Sequence, residues 1–148
     1  MQRFILTAAA VLAFGPAVFA DDAAKVAKEL EGTYTLKAVM IGGQPAPEQF
    51  SKGLKAIVIK DGTIDVQIET DIAGKKEVRS DIASFKLDPS KKPAQIDLTP
   101  SKEKDKLRLG IYKFEKGELT LCIAREGDRP VDFDGKGEHV MKLVITKK

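Results

Sequence analysis

The stretch LKAIVIKDGTIDVQIET, Leu54–Thr70, decides the fold because it predicts one complete β-hairpin. Apolar and polar side chains alternate on both sides of Asp61-Gly62, a dipeptide that favours the type I′ turn between antiparallel strands. A two-residue turn creates four cross-strand pairs: Ile59–Ile64 and Ile57–Val66 on one face, Val58–Asp65 and Ala56–Gln67 on the other. One face is apolar and the other mostly polar, which is typical of an antiparallel sheet buried on one side.

A second hairpin is predicted about Lys116-Gly117, between strands at 106–115 and 118–125. A two-residue turn gives three pairs on a strongly apolar face: Phe114–Leu119, Tyr112–Leu121 and Gly110–Ile123. Cys122 then lies on the reverse face, opposite Ile111. That second face is also apolar, so we expect another part of the chain to cover it, with the N-terminal helix as the candidate.

The remaining elements have the same period of two residues after one short helix. The helix is expected at Asp21–Glu31, and a helical turn at Pro47–Phe50 within the loop 42–53. Further strands are expected at 33–41, 77–87, 95–99 and 139–146; in the first, Tyr34, Leu36, Ala38 and Met40 share a side. The sequence therefore predicts an all-β fold, an eight-stranded antiparallel up-and-down barrel with a short N-terminal helix. An open sheet or a two-sheet sandwich is the alternative.

The first twenty residues, MQRFILTAAAVLAFGPAVFA, have the pattern of a secretory signal peptide. Arg3 supplies the positive charge, an apolar run follows, and Val18-Phe19-Ala20 offers a small-residue cleavage site. We expect residues 1–20 to be a signal peptide and residues 21–148 to form one barrel domain. The apolar run is shorter than a bilayer requires, so export to the periplasm or the extracellular space is expected, without a stable membrane anchor.

Composition argues against several classes of function. The 25 basic and 22 acidic side chains are spread along the chain and give a net charge of only +3. No basic patch with interleaved aromatics occurs, so nucleic-acid binding is not expected. Nucleophile-elbow, P-loop, dinucleotide-binding and zincin motifs are all absent from the sequence, which predicts no catalytic residue, no cofactor and no enzyme activity.

Four polar features of the sequence are candidates for chemistry. The single cysteine, Cys122, is expected to be a small buried hydrophobe, with a redox-reactive thiol or an intermolecular disulfide as alternatives. His139 alone cannot make a zinc site, and the acids of segment 128–138 lack the order of a calcium loop, so no metal is expected and a solvated connection is favoured. Arg129 either contacts an anion at the barrel mouth or donates to carbonyls at a strand end.

Three stretches carry a family resemblance: LEGTYTLKAVMIGGQPAPEQF (30–50), FKLDPSKKPAQIDLTP (85–100) and GIYKFEKGELTLCIAREGDRPVDF (110–133). Together they resemble the uncharacterised lipocalin-like secreted domain family that is expanded in planctomycetes. Tyr34 stands where the family pattern has tryptophan, and this chain has no tryptophan. The resemblance implies a lipocalin-like barrel and export, and it implies no catalytic residue.

The leading hypothesis is an exported, non-enzymatic binding module that holds a small apolar or amphipathic ligand in the barrel or at its mouth, near loop 42–53 or loop 126–137. The candidate ligand contacts are Tyr34, Leu36, Met40, Ile57, Val66, Phe85, Tyr112, Phe114, Leu121 and Arg129. The second hypothesis is a periplasmic or extracellular protein-interaction or inhibitor domain that acts through its surface loops on an unknown partner. An enzyme is the third.

Overall fold

The β-strands form a closed antiparallel sheet in the computed structural model, which describes residues 17–148. In chain order the elements are α1 (Ala17–Leu30), β1 (Gly32–Ile41), β2 (Gln44–Pro45), α2 (Glu48–Gly53), β3 (Leu54–Lys60), β4 (Thr63–Ile72), β5 (Lys75–Asp88), β6 (Gln95–Pro100), β7 (Arg108–Glu115), β8 (Glu118–Ala124) and β9 (Val140–Lys147). The eight long strands make the barrel, and the two-residue β2 pairs with the end of β1. The predicted eight-stranded up-and-down barrel with a short N-terminal helix is confirmed.

Both predicted hairpins have the expected register. Ile59 pairs with Ile64 and Ile57 with Val66 in the first hairpin, while Tyr112 pairs with Leu121 in the second. Each turn has two residues with positive φ, 49° and 72° at Asp61-Gly62 and 52° and 77° at Lys116-Gly117. Such turns twist in the same sense as the strands they join, so the local sequence is sufficient to set these registers.

The barrel closes through the pairing of β1 with β9, which extends from Tyr34–Lys147 to Ile41–Met141. The register shifts between Leu36 and Ala38, and this irregularity reverses the alternation of the rest of β1. Val39 therefore joins the hydrophobic core. The prediction that Ala38 and Met40 share the inward side with Tyr34 is wrong, because a single extra residue moves every later side chain to the other face.

Helix α1 lies across one end of the barrel. Leu30 is buried in the core, with Val26 and Ala27 packed against the same cluster. The Asp61 N–H donates to the Glu31 carboxylate (3.3 Å), and Lys147 Nζ donates to the Glu29 carbonyl (3.1 Å). These contacts reach the β3–β4 turn and the end of β9, so α1 closes this end, which we call the closed end.

Of the predicted signal peptide, residues 1–20, the first sixteen lie outside the described residues. Its last four residues, 17–20, are described as the first part of α1. Across residues 17–148, neither helix has the length and apolar character needed to cross a membrane.

The hydroxyl of Tyr34 supports the closed end from within. Tyr34 is fully buried, and its hydroxyl donates to the Leu30 carbonyl at 2.7 Å. This bond satisfies a carbonyl at the C-terminus of α1, where helix carbonyls have no partner within the helix. Burial raises the pKa of Tyr34 to about 12, so the donor stays protonated at neutral pH.

Replacing Tyr34→Phe should therefore lower the free energy of unfolding by about 1–3 kcal/mol, because a buried carbonyl loses its donor. Tyr112→Phe is the matched control, since the buried Tyr112 hydroxyl has no hydrogen-bond partner among the described residues. Its removal should be neutral or stabilising. Urea unfolding followed by circular dichroism measures both, and equal losses in the two variants would contradict the role assigned to the Tyr34 bond.

Candidate functional site

The centre of the barrel is filled by side chains. Ile57, Ile59, Leu119 and Ile145 are almost completely buried there and belong to one hydrophobic cluster. Eight-stranded barrels are just wide enough for their interior to be filled in this way. Any ligand site in this barrel is therefore placed toward an end or a seam rather than at the centre.

A cavity of about 110 Å³ lies at the end of the barrel opposite α1. We call it the mouth cavity. Its position follows from its lining, which includes Pro100 at the end of β6, Arg108 at the start of β7 and Met141 near the start of β9. Most of its walls are apolar side chains, which are Ile64, Val66, Ile82, Ala83, Leu98, Leu121, Ile123 and Leu143.

Three charged side chains also line the mouth cavity: Asp81, Arg108 and Arg125. Arg125 and Asp81 are exposed, while Arg108 is half-buried. Arg108 Nη2 lies 3.4 Å from Glu103 Oε2, and Arg125 forms no ion pair within the described residues 17–148. An apolar cavity with charges at its rim suits a small molecule that has an apolar end and a polar end.

A second, larger cleft opens along the side of the barrel between β1 and β3. The β1–β3 ladder contains only three pairs and ends at Tyr34–Ile57, while β1 continues to Ile41. Where the two strands separate, they enclose about 660 Å³. Leu36, Met40, Ala46, Leu54 and Lys55 are among the lining residues, and we call this space the seam cleft.

A third pocket of about 380 Å³ lies beside α1 at the closed end. Tyr112 and Phe114 line it together with Val26, Pro93 and Phe133. Burial is the main cause that raises the pKa of Tyr112, with the nearby negative charge of Asp88 as a smaller one. The neutral phenol is thus the form present at physiological pH.

The structure distributes the predicted ligand contacts among separate places. Val66 and Leu121 line the mouth cavity, and Tyr34, Leu36 and Met40 line the seam cleft. Tyr112 and Phe114 line the pocket beside α1. Ile57 and Phe85 are buried in the core. The packed centre keeps these groups apart, so they do not form one common ligand cavity.

Sequence reasoning missed the charged rim of the mouth cavity, although the pattern contained it. Gly110 of β7 pairs with Ile123 of β8 on the inward face. Arg108 lies two residues before Gly110, and Arg125 lies two residues after Ile123. Since side chains alternate between faces, both arginines continue the inward face of that hairpin. Asp81 lies two residues before Ala83 and four before Phe85 in β5, both of which face the core, so Asp81 is also on the inward face.

Cys122 lies on the outer side of the barrel wall, where it is fully buried. The segment 125–139 covers this side: Lys113 Nζ lies 4.9 Å from the centre of the Phe133 ring, and a Cβ on Gly135 would contact Lys142 at 3.0 Å. The expectation that the N-terminal helix covers Cys122 is wrong, because α1 lies at the closed end. Burial is the main cause that raises the pKa of the Cys122 thiol, so the predicted buried hydrophobe is confirmed.

Arg129 holds the covering segment to the wall. Its Nη1 donates to the Gly110 carbonyl (2.7 Å) and the Ile96 carbonyl (3.2 Å), while Nη2 donates to Asp97 Oδ1 at 2.6 Å. The alternative in which Arg129 donates to strand carbonyls is therefore the one observed. Arg129 is not among the residues that line the mouth cavity or the seam cleft.

The acids of the covering segment bind its own backbone. Asp132 accepts from the Asp134 N–H (3.1 Å), and Asp134 accepts from the Lys136 N–H (3.0 Å). The latter bond is the main cause that lowers the pKa of Asp134. Within residues 17–148, no three histidine, cysteine, aspartate or glutamate side chains are grouped in a way that could hold a metal ion.

Comparisons of this chain with protein-family models, curated proteins and solved structures find no match.

The tie through Arg129 should control access to Cys122. Native protein should react very slowly with Ellman's reagent, because the thiol is buried and its pKa is raised. Arg129→Gln should accelerate labelling roughly ten- to a hundredfold, since hydrogen bonds from a charged group resist local opening of segment 125–139. Arg125→Gln, which removes an exposed arginine four residues away, is the control and should leave the rate unchanged. Equal acceleration in both variants would contradict this role of Arg129.

Proposed function

We propose that this protein is an exported, non-enzymatic, lipocalin-like binding module for a small apolar or amphipathic molecule held in the mouth cavity. The observation that carries the proposal is the apolar space of about 110 Å³ at the end of the barrel opposite α1, the open end, with Asp81, Arg108 and Arg125 around it. Export rests on the pattern of residues 1–20, which fits a secretory signal peptide.

The size of the mouth cavity limits the ligand. A cavity of roughly 150 Å³ lined by aliphatic and aromatic side chains remains dry and binds benzene. The mouth cavity is somewhat smaller, so it suits an apolar group of a few carbon atoms. The remainder of the ligand then lies among the charged side chains at the rim.

The frame around the mouth cavity favours a pre-formed site. Its walls come from strands that are each hydrogen-bonded on both sides within the closed sheet. Leu121, Ile123 and Leu143 are buried, so their positions are fixed by packing. A site built on such strands loses little conformational entropy when a ligand enters.

Native mass spectrometry of protein purified from exporting cells tests the proposal. We expect a bound small molecule in the wild type and its loss in Ala83→Phe, because the phenyl group fills the mouth cavity. Ala56→Phe places the same group in the seam cleft and should retain the molecule. Circular dichroism should show that both variants are folded. Failure to find any bound molecule, or its retention in Ala83→Phe, would refute the mouth cavity as the binding site.

The seam cleft favours a second candidate function, an interaction with an extended peptide segment of another protein. Beyond Tyr34 and Ile57, β1 and β3 do not pair with each other. The short β2 occupies the end of this β1 edge at Met40 and Ile41, and an added strand can bind the open stretch before it through its main chain. Among the described residues, the charged side chains that line the cleft are Lys37 and Lys55. Each is bound to a glutamate nearby, at 2.6 Å and 2.8 Å.

A pull-down from periplasmic extract separates the two candidates. A peptide bound in the seam cleft predicts a partner protein that the wild type and Ala83→Phe both capture and Ala56→Phe does not. If the wild type captures nothing above background, or if Ala56→Phe captures the same partner equally well, the interaction at the seam cleft is excluded.

A further inference from the structure

We infer that the mouth cavity selects a monocarboxylate with a short aliphatic tail, whose carboxylate is held by Arg108 and Arg125. This inference rests on the proposed function and names the chemical class of its ligand. It depends on how the charged groups at the rim are already engaged, and on the volume beneath them.

Arg125 is the freer of the two arginines. Its side chain is exposed and lines the cavity, and across residues 17–148 it forms neither an ion pair nor a side-chain hydrogen bond. Its backbone is fixed, since the Arg125 N–H donates to the His139 carbonyl at 2.7 Å. The guanidinium is thus anchored at the rim with its donors available, and its fork matches the two oxygens of a carboxylate.

Arg108 has a partner that it can exchange. Its Nη2 lies 3.4 Å from Glu103 Oε2, longer than an ordinary N–H···O bond. Lys106 binds the other oxygen of Glu103 at 3.0 Å, and this bond is the main cause that lowers the pKa of Glu103. Because Lys106 continues to neutralise Glu103, Arg108 can turn to a ligand without leaving that carboxylate unpaired.

Asp81 restricts the charge of the ligand. Its carboxylate lines the same cavity and forms no ion pair within the described residues, so the lining carries two positive charges and one negative. One ligand carboxylate is compatible with this balance. A second carboxylate would be repelled by Asp81 without a further cation to receive it, and this favours monocarboxylates over dicarboxylates.

The apolar walls determine the tail. The cavity of about 110 Å³ ends at Leu121, Ile123 and Leu143, which are buried. Each methylene that enters should tighten binding about fourfold, until the tail meets these side chains. We expect affinity to rise from acetate to pentanoate and then to level off, because longer tails find no further apolar space.

Pentanoate, pentanol and pentylamine test the charge preference at equal carbon number, with the alcohol and the amine each one methylene longer in the apolar tail. Binding is measured from the methyl NMR signals of Met141 and Ile64 in the full chain, with Ile57 in the packed centre as the reference. Pentanoate should bind at least about tenfold tighter than pentanol, and pentylamine weakest. The tenfold difference is expected because the carboxylate accepts a hydrogen bond from a charged guanidinium, which the alcohol does not match in strength.

Arg125→Gln should weaken pentanoate binding about tenfold and leave pentanol binding unchanged. Arg79→Gln is the matched control, because Arg79 is an exposed arginine of β5 that does not line the cavity. Asp81→Asn should strengthen pentanoate binding a few-fold. The signals of Ile57 should remain unchanged in every variant if the fold is intact.

The possible outcomes separate this inference from the proposed function. If pentanol or pentylamine binds as tightly as pentanoate, or if Arg125→Gln has no more effect than Arg79→Gln, the carboxylate inference is overturned while the binding module stands. If none of the three probes moves the signals of Met141 and Ile64, both are overturned. Selective binding of pentanoate that depends on Arg125 supports both.

Discussion

The pairing of β1 with β9 is the constraint on which the rest of the structure depends. These two strands lie at opposite ends of the described barrel sequence, and their seven residue pairs turn a meander into a closed sheet. Closure removes the exposed strand edges that an open sheet would leave available for association. It also determines where the sheet remains weak. Since β1 pairs with β9 from Tyr34 to Ile41 but with β3 over only three residue pairs, the seam cleft forms between β1 and β3.

Closure and packing together divide the molecule into two different ends. At the closed end, α1 places Leu30 on the core, and the buried Tyr34 hydroxyl holds the last turn of the helix. In the centre, aliphatic side chains fill the barrel, and the mouth cavity lies beyond them at the end opposite α1. The charges at that cavity stay near solvent because burying an unpaired arginine or aspartate would cost several kcal/mol.

The outer face of β7 and β8 is buried by a single connection, segment 125–139. Ile111 and Cys122 form an apolar outer surface that would be exposed on a bare barrel. Segment 125–139 covers it, and Arg129 fastens the segment to carbonyls of β6 and β7. Gly110 permits this close packing of the wall, since a Cβ there would lie 2.8 Å from the Cys122 carbonyl oxygen. The lone thiol and the most prominent arginine are thus both part of the scaffold.

The local sequence by itself determined the two hairpins and their registers, because turn residues and period-two alternation act between neighbours in the chain. It predicted the barrel but left an open sheet or a sandwich as alternatives, since closure depends on the distant pairing of β1 with β9. The alternation along the strands also places Arg108, Arg125 and Asp81 on the inward face of the sheet. Only the tertiary structure decided that Val39 rather than Met40 enters the core. The cause is the register shift between Leu36 and Ala38, which arises where β1 pairs with β9, more than a hundred residues away in the chain. The tertiary structure alone decided that Tyr34, Val66 and Tyr112 face three separate spaces, because whether side chains fill a barrel depends on how all eight strands pack together.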